Sequence, residues 1–288
     1  MSEITVGTFT TKSFPTWCPG CGDFGILTAL KHALADLQIP PHMVALASGI
    51  GCSSKLPHWL ETYGFHSIHG RSVPVATGIR LANHKLHVIA IAGDGDLYGL
   101  GMGHFIHALR RNLNITLIVH DNQIYGLTKG QTSPTSDKGF HSKSTPFGVI
   151  EPKINPIALA LAADATFVAR GFAGDIKHLT WVMEEAIKHE GFAFIDVAQP
   201  CVTFNHLNTY QWFRERIYKL EEENGYDKGN KEMAFVKALE WGEKIPIGVF
   251  FQKRMPTYEE QLPQLADGPL AESRIEDIDI SSALDEHT

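Results

Sequence analysis

The chain has 288 residues, 43% of them apolar and 20% charged, enough to bury a sizeable core in one large α/β domain with extensions or in two small domains. Its formal net charge of −7 excludes a nucleic-acid partner gripped by a basic surface. No apolar run approaches the ~20 residues of a membrane helix, and residues 1–12 lack the apolar core of a secretion signal, so the expected location is the cytoplasm.

In chain order, apolar stretches of strand length alternate with stretches of helical period. Helices are expected over 24–37, where Ile26, Leu27, Leu30, Leu34 and Leu37 share a face, and over 73–82, 101–111, 156–163 and 175–189. Strands are expected over 43–47, 87–92, 115–120, 166–169 and 193–198. Near-continuous apolar strands joined by helices imply an α/β fold, a mostly parallel sheet with helices on both faces. Residues 127–155 are rich in Gly, Ser, Thr, Lys and Pro, show no period, and read as a functional loop or lid. Beyond Cys201, helix-like stretches follow over 210–223 and 231–241. Residues 259–288 hold nine acidic residues against Arg274, a net of −8, which leaves about +1 for residues 1–258. The expected organisation is an α/β domain over 1–210, a helical extension over 211–255 packed on it, and an acidic C-terminal tail or arm over 256–288.

The four cysteines are Cys18, Cys21, Cys52 and Cys201. In a reducing cytoplasm, thiols point to metal ligation or redox chemistry before structural disulfides. One close pair with two remote singles suits a single four-thiolate site, and a [4Fe–4S] cluster takes four cysteines at wide spacing. Two other readings stay open. Zinc would use the same thiolates, although zinc ribbons usually supply two close pairs. A thioredoxin-like dithiol at Cys18-Pro19-Gly20-Cys21 would follow a strand, and residues 13–16 do not read as one.

The strand over 87–92 runs into Gly93-Asp94-Gly95-Asp96, and the next strand ends at Asp121-Asn122. In a parallel sheet both ends open at the carboxyl edge, where open α/β sheets bind ligands. Asp94 and Asn122 offer the hard oxygens that hold Mg²⁺ while phosphates and water fill its other positions. Gly93 and Gly95 would let backbone approach those phosphates, and the following helix would offer them free N–H groups. The bland alternative is a tight strand-to-helix turn followed by an ordinary Asp-Asn turn. A dinucleotide site is disfavoured, because neither Gly93-Asp94-Gly95 nor Gly49-Ile50-Gly51 has the third glycine of that pattern.

Six pieces, taken together, resemble the β subunits of the 2-oxoacid:ferredoxin oxidoreductases, the 2-oxoglutarate branch in particular. They are Trp17-Cys18-Pro19-Gly20-Cys21-Gly22, Ser48-Gly49-Ile50-Gly51-Cys52, His69-Gly70-Arg71, Ala76-Thr77-Gly78, Gly93-Asp94-Gly95-Asp96 and the run from Asp121-Asn122 to Gly130-Gln131. They keep the family's order over residues 14–210, with Asp121 standing where the family usually has the first Asn of an Asn-Asn pair.

The resemblance implies the diphosphate-binding half of a thiamine diphosphate fold. It implies Cys18, Cys21, Cys52 and Cys201 around one [4Fe–4S] cluster, and Mg²⁺ on Asp94, Asn122 and the carbonyl of Ile124. Gly51, Cys52 and His69 would lie near the cofactor, with Gly93, Gly95 and Asp96 in the diphosphate turn and Leu127 and Thr128 close to the diphosphate or thiazolium. Lys129 would face the substrate and pair with a distal carboxylate, favouring 2-oxoglutarate over pyruvate. His69 and Arg71 join it as candidate catalytic residues, Arg71 being equally compatible with a helix cap. The implied reaction is reversible decarboxylation of a 2-oxoacid, with two electrons passing singly through the cluster to ferredoxin and the acyl group passing to coenzyme A. The carboxylic acid needed at the aminopyrimidine ring is missing, so an α subunit supplying a pyrimidine-binding domain is expected, as αβ or α₂β₂. The alternatives are a pyruvate-preferring or broad-specificity enzyme, or a zinc-stabilised non-redox thiamine diphosphate protein.

Overall fold

Ten strands are present in the computed structural model, which describes residues 3–273 and 279–286: β1 (Val44–Ser48), β2 (Tyr63–His66), β3 (His87–Gly93), β4 (Thr116–Asp121), β5 (Ile124–Tyr125), β6 (Gln131–Thr132), β7 (Phe167–Phe172), β8 (Ala193–Ala198), β9 (Ile217–Lys219) and β10 (Ile245–Gln252). Eight form one sheet in the order β2-β1-β3-β4-β8-β7-β10-β9, and β5 pairs with β6 in a small hairpin. Strands β2 to β7 of that order are mutually parallel, β10 runs antiparallel to β7, and β9 is parallel to β10. The pairings Ser48↔Ile91, Gly93↔His120 and Asp121↔Ala198 bring four strand ends to one edge.

The α-helices among the described residues are α1 (Asp23–Asp36), α2 (Ser72–Ala82), α3 (Met102–Arg111), α4 (Pro156–Ala162), α5 (Ile176–Lys188), α6 (Tyr210–Arg214), α7 (Lys231–Ala238) and α8 (Ser281–Asp285). On one face α1 and α5 bury Leu30, Leu34, Val182 and Met183 against Ile89, Ile91 and Ile195. On the other, α2, α3, α4 and α7 bury Val73, Phe105, Ile157 and Ala234 against Ala90, Leu117 and Phe194. Covered on both faces, β4, β7 and β8 have every residue buried, which is why they read as continuous runs rather than alternating ones. Each buried Leu, Ile or Phe contributes about 1.5–3 kcal/mol. Local signals set the helix starts: Asn155 and Asp175 accept from Ala158 N and His178 N as N-caps, with Pro156 at the first turn of α4.

Three expectations are corrected. The helix expected over 210–223 stops at Arg214, because Ile217, Tyr218 and Lys219 pair with Ile245, Pro246 and Ile247 as an edge strand. Strand β2 was not expected; all four of its residues are exposed, so no apolar run marks it. The acidic segment does not begin as a free arm at 256: Thr257, Glu259 and Leu265 are buried. Glu259 Oε1 accepts from Arg80 Nε at 2.6 Å and from Asn114 N at 3.0 Å. Residues 279–286 are exposed, and Arg274 lies outside the described residues. Among the described residues, no helix is long and apolar enough to cross a membrane.

Candidate active site at the carboxyl edge of the sheet

The adjacent strands β1, β3, β4 and β8 end side by side and deliver, in turn, Gly49–Cys52, Asp94, Asn122 and Cys201. The turn leading into α1 is tied to the same edge by Gly22 N donating to Pro200 O at 3.2 Å, which brings in Cys18 and Cys21. Cys21 and Gln199, 178 residues apart, thus meet at this edge.

Asp94 is buried, and its Oδ2 accepts from Ser133 Oγ at 2.5 Å and Thr135 Oγ1 at 2.8 Å. Burial pushes its carboxyl up to about 6, against the pull of the two hydroxyls. Thr135 Oγ1 also lies 2.8 Å from Asp121 Oδ1. Burial, then the Asp196 and Asp94 charges, push Asp121 well above the usual carboxylate range. Asn122 Oδ1 accepts from Ile124 N at 3.0 Å, and its carbonyl accepts from Asn205 Nδ2 at 3.1 Å.

After Asp94 the chain makes a π-helical turn over Gly95–Leu100 before α3, a form that concentrates at functional sites. Gly95 proves to have a packing reason. A Cβ there would stand 2.4 Å from Tyr125 Cζ, and the Tyr125 hydroxyl donates to Gly95 O at 2.7 Å. Asp96, expected in the diphosphate turn, uses both oxygens inside the protein: Oδ1 accepts from Gly70 N at 2.6 Å and pairs with His69 Nδ1 at 2.9 Å, and Oδ2 accepts from Ile50 N at 3.2 Å. His69 is half-buried, with its ring edge-on to Tyr125 at 6.0 Å. Arg71 occupies the N-cap position of α2, and its Nη1 donates to His69 O at 3.0 Å.

Two of the thiols meet at Gly126. A Cβ on Gly126 would lie 3.7 Å from Cys52 Sγ and 3.8 Å from Cys201 Sγ, with Asn122 Nδ2 at 3.9 Å. Cys21 Sγ contacts Asp23 Oδ2 at 3.3 Å and Gln199 Nε2 at 3.3 Å. Cys21 and Cys52 both feel the charge of Cys201, and Cys52 that of Cys18. Burial, followed by the Asp23 carboxylate, raises the Cys21 thiol strongly and pushes Cys52 up to about 12. Among the described residues, no three His, Cys, Asp or Glu side chains stand as a preformed metal site.

Leu127, Thr128 and Lys129 are exposed on the turn of the β5–β6 hairpin. Lys129 takes a left-handed φ of 75° and closes the turn by donating from its backbone N to Gly126 O at 3.1 Å. Gly51 is also left-handed, with open space where a Cβ would be.

Both absent metal groups fit the donors present. Cys21 and Cys52, whose thiols burial and the Asp23 carboxylate hold protonated, would ionise only against a cation, which an iron–sulfur cluster or zinc would supply. Asp94, with burial working against its charge, and the Asn122 amide offer the oxygen set of a Mg²⁺ site.

Sequence reasoning missed the partners that hold these groups. Ser133 and Thr135, on Asp94, come from the loop over 127–155. Asp23 and His120 form a fully buried pair, Nδ1 to Oδ1 at 2.6 Å, behind Cys21. Arg170, Asp196 and Tyr98 lie beneath the same edge, Tyr98 donating to Asp196 Oδ1 at 2.7 Å. The available signal was a charge inside an apolar strand, Asp196 in β8 and Arg170 in β7.

A parallel sheet whose edge gathers Asp94, Asn122 and the thiols of Cys52 and Cys201 defines a thiamine diphosphate-binding half. Residues 39–197 match the thiamine pyrophosphate enzyme C-terminal TPP-binding domain, and residues 201–267 match the C-terminal region of the pyruvate ferredoxin oxidoreductase β subunits. The chain is 49% identical over 276 residues to a 2-oxoacid:ferredoxin oxidoreductase subunit β of Saccharolobus solfataricus, covering 90% of each chain. It is 36% identical over 252 residues to the 2-oxoglutarate synthase subunit KorB of Methanocaldococcus jannaschii, covering 87% of this chain and 92% of that one. Its structure superposes, with a TM-score of 0.92 and 35% identity over 100% of this chain and 97% of the other, on a 2-oxoglutarate:ferredoxin oxidoreductase of Magnetococcus marinus with 2-oxoglutarate, coenzyme A and succinyl-CoA bound. The chain belongs to the β subunits of the 2-oxoacid:ferredoxin oxidoreductases, thiamine diphosphate-dependent enzymes. As a β subunit it implies an α partner.

Proposed function

We propose that this chain is the β subunit of an enzyme converting 2-oxoglutarate, coenzyme A and oxidised ferredoxin to succinyl-CoA, CO₂ and reduced ferredoxin, reversibly. The observation that carries the redox part is the meeting of Cys52 and Cys201 Sγ at Gly126, on the same edge as Asp94 and Asn122. Bound thiamine diphosphate supplies an electron sink for decarboxylation, and a [4Fe–4S] cluster a one-electron carrier beside it. Cys18, Cys21, Cys52 and Cys201 would hold the cluster. Asp94, Asn122 and the Ile124 carbonyl would hold Mg²⁺, with Gly93 and Gly51 leaving room for the cofactor. Leu127 and Thr128 would lie close to the cofactor, with His69 and Arg71 beside them.

The choice of 2-oxoglutarate rests on Lys129. Its ammonium sits on an exposed turn at the rim, within a hairpin fixed by the Gly126 carbonyl, where a distal carboxylate can reach it. The relatives and structural neighbour named for 2-oxoglutarate support the same choice. The α subunit would supply the carboxylic acid for the aminopyrimidine ring, and ferredoxin the electron exit. The test is a coupled assay of the chain with its α partner, coenzyme A and a viologen dye. Faster turnover of 2-oxoglutarate than of pyruvate is expected; a preference for pyruvate would refute the substrate assignment.

A further inference from the structure

We propose that Asp96 is a positioning residue that clamps the two loops of the site together and sets the tautomer of His69, an inference that rests on reading this edge as a thiamine diphosphate site. The Asp96 side chain is 1% exposed, and its two oxygens receive three donors from two separate loops. Ile50 N, at 3.2 Å, comes from the loop after β1, two residues before Cys52. Gly70 N, at 2.6 Å, and His69 Nδ1, at 2.9 Å, come from the segment after β2.

The sequence has made room for this clamp. A Cβ on Gly49 would stand 1.7 Å from Asp96 Oδ2, so only glycine lets the first loop close on the carboxylate. Gly70 has a φ of +72°, and a Cβ there would stand 2.8 Å from Gly101 N, so glycine is needed on the second loop as well. Arg71 Nη1 holds the His69 carbonyl at 3.0 Å, which fixes the backbone while Asp96 fixes the ring.

The chemistry follows from the acceptor. Asp96 Oδ1 already accepts from Gly70 N and Oδ2 from Ile50 N, and with both oxygens used as acceptors the hydrogen of the His69 contact lies on Nδ1. A neutral His69 then presents Nε2 as an acceptor to whatever group lies beside the cofactor. Free imidazole has no such constraint. Asp96 thereby determines the hydrogen-bonding sense of His69 without itself reaching a ligand.

The test uses the full-length chain labelled with ¹⁵N, comparing wild type, Asp96→Asn and Asp96→Ala. His69 is assigned by loss of its imidazole resonances in His69→Gln. Wild type is expected to show the Nδ1–H form. An asparagine keeps an oxygen towards Gly70 and His69 but turns its amide hydrogens on the Ile50 N–H. Asp96→Asn should therefore retain the tautomer while exchange of the Ile50 amide quickens about tenfold to a hundredfold. Asp96→Ala should lose both, with His69 moving to the Nε2–H form. An Nε2–H imidazole in wild type, or Ile50 exchange unchanged in Asp96→Asn, would overturn the proposal. That second arm decides even if Asp96→Ala fails to fold. Calorimetric titration of thiamine diphosphate with Mg²⁺ into wild-type chain and α partner is read separately. Absence of binding there would overturn the cofactor reading, while the clamp stands or falls on the resonance and exchange data.

Discussion

Thr135 Oγ1 lies 2.8 Å from Asp121 Oδ1, and the same hydroxyl lies 2.8 Å from Asp94 Oδ2. One hydroxyl hydrogen cannot serve two carboxylates, and Asp121 is the one driven furthest from ionisation, by burial and by the charges of Asp196 and Asp94. An asparagine at 121 would bury no charge here and could donate to Thr135 Oγ1. Asp121→Asn is therefore expected to change unfolding free energy by less than about 0.5 kcal/mol. Asp121→Ala, leaving Thr135 short of a donor, should cost about 1–3 kcal/mol. Urea unfolding checks both; a large loss in the Asn variant would mean that Asp121 is ionised.

Asp94 gives a pH signature. Its carboxyl rises from 3.8 to about 6 on folding, so the folded chain without metal binds a proton that the unfolded chain has released. Stability relative to Asp94→Asn should be greatest below about pH 4 and fall by about 3 kcal/mol as pH rises to about 6. Thermal melts in chelator give the difference between the two proteins. A difference that grows with pH would show that the group is ionised at rest. Asp94→Ala should also abolish thiamine diphosphate and Mg²⁺ binding while sparing the iron content.

Gly95 and Tyr125 form a steric pair. A Cβ at 95 meets the ring at 2.4–2.8 Å, so Gly95→Ala should cost about 1–3 kcal/mol. In a Tyr125→Ala background the same change should cost much less, because the obstructing ring is gone. Chemical denaturation of the four-protein cycle measures the coupling; additive effects would place the strain elsewhere.

Lys129 already has a Cβ at a left-handed φ, so Lys129→Ala removes the ammonium without adding backbone strain. Loss of one charge-assisted contact should lower kcat/KM for 2-oxoglutarate roughly tenfold to a hundredfold, with pyruvate little affected. Steady-state assays with both substrates decide it. An equal loss for the two would make Lys129 a structural residue of the hairpin.

Much of this arrangement was legible in the sequence. Strands buried on both faces announced themselves as apolar runs, and β8 over 193–198 matches its expected limits. The cysteines and the Gly93–Asp96 turn marked the edge because their chemistry is rare and their spacing fixed. What was not legible depends on tertiary pairing. Strand β2 is wholly exposed, and β9 exists because Ile217 to Lys219 find an edge at β10. The roles of Asp96, Ser133 and Thr135 follow from loops meeting in space, which no local pattern records. Glu259 looked like one more tail charge, yet it is buried against Arg80.

The central claim is that Cys18, Cys21, Cys52 and Cys201 hold one iron–sulfur cluster next to the thiamine diphosphate site. It is tested most directly by iron, sulfide and zinc analysis of the anaerobically purified protein, paired with its visible spectrum. Four iron and four sulfide per chain, a brown colour, and loss of both in Cys201→Ser are predicted. A colourless protein carrying stoichiometric zinc would contradict it.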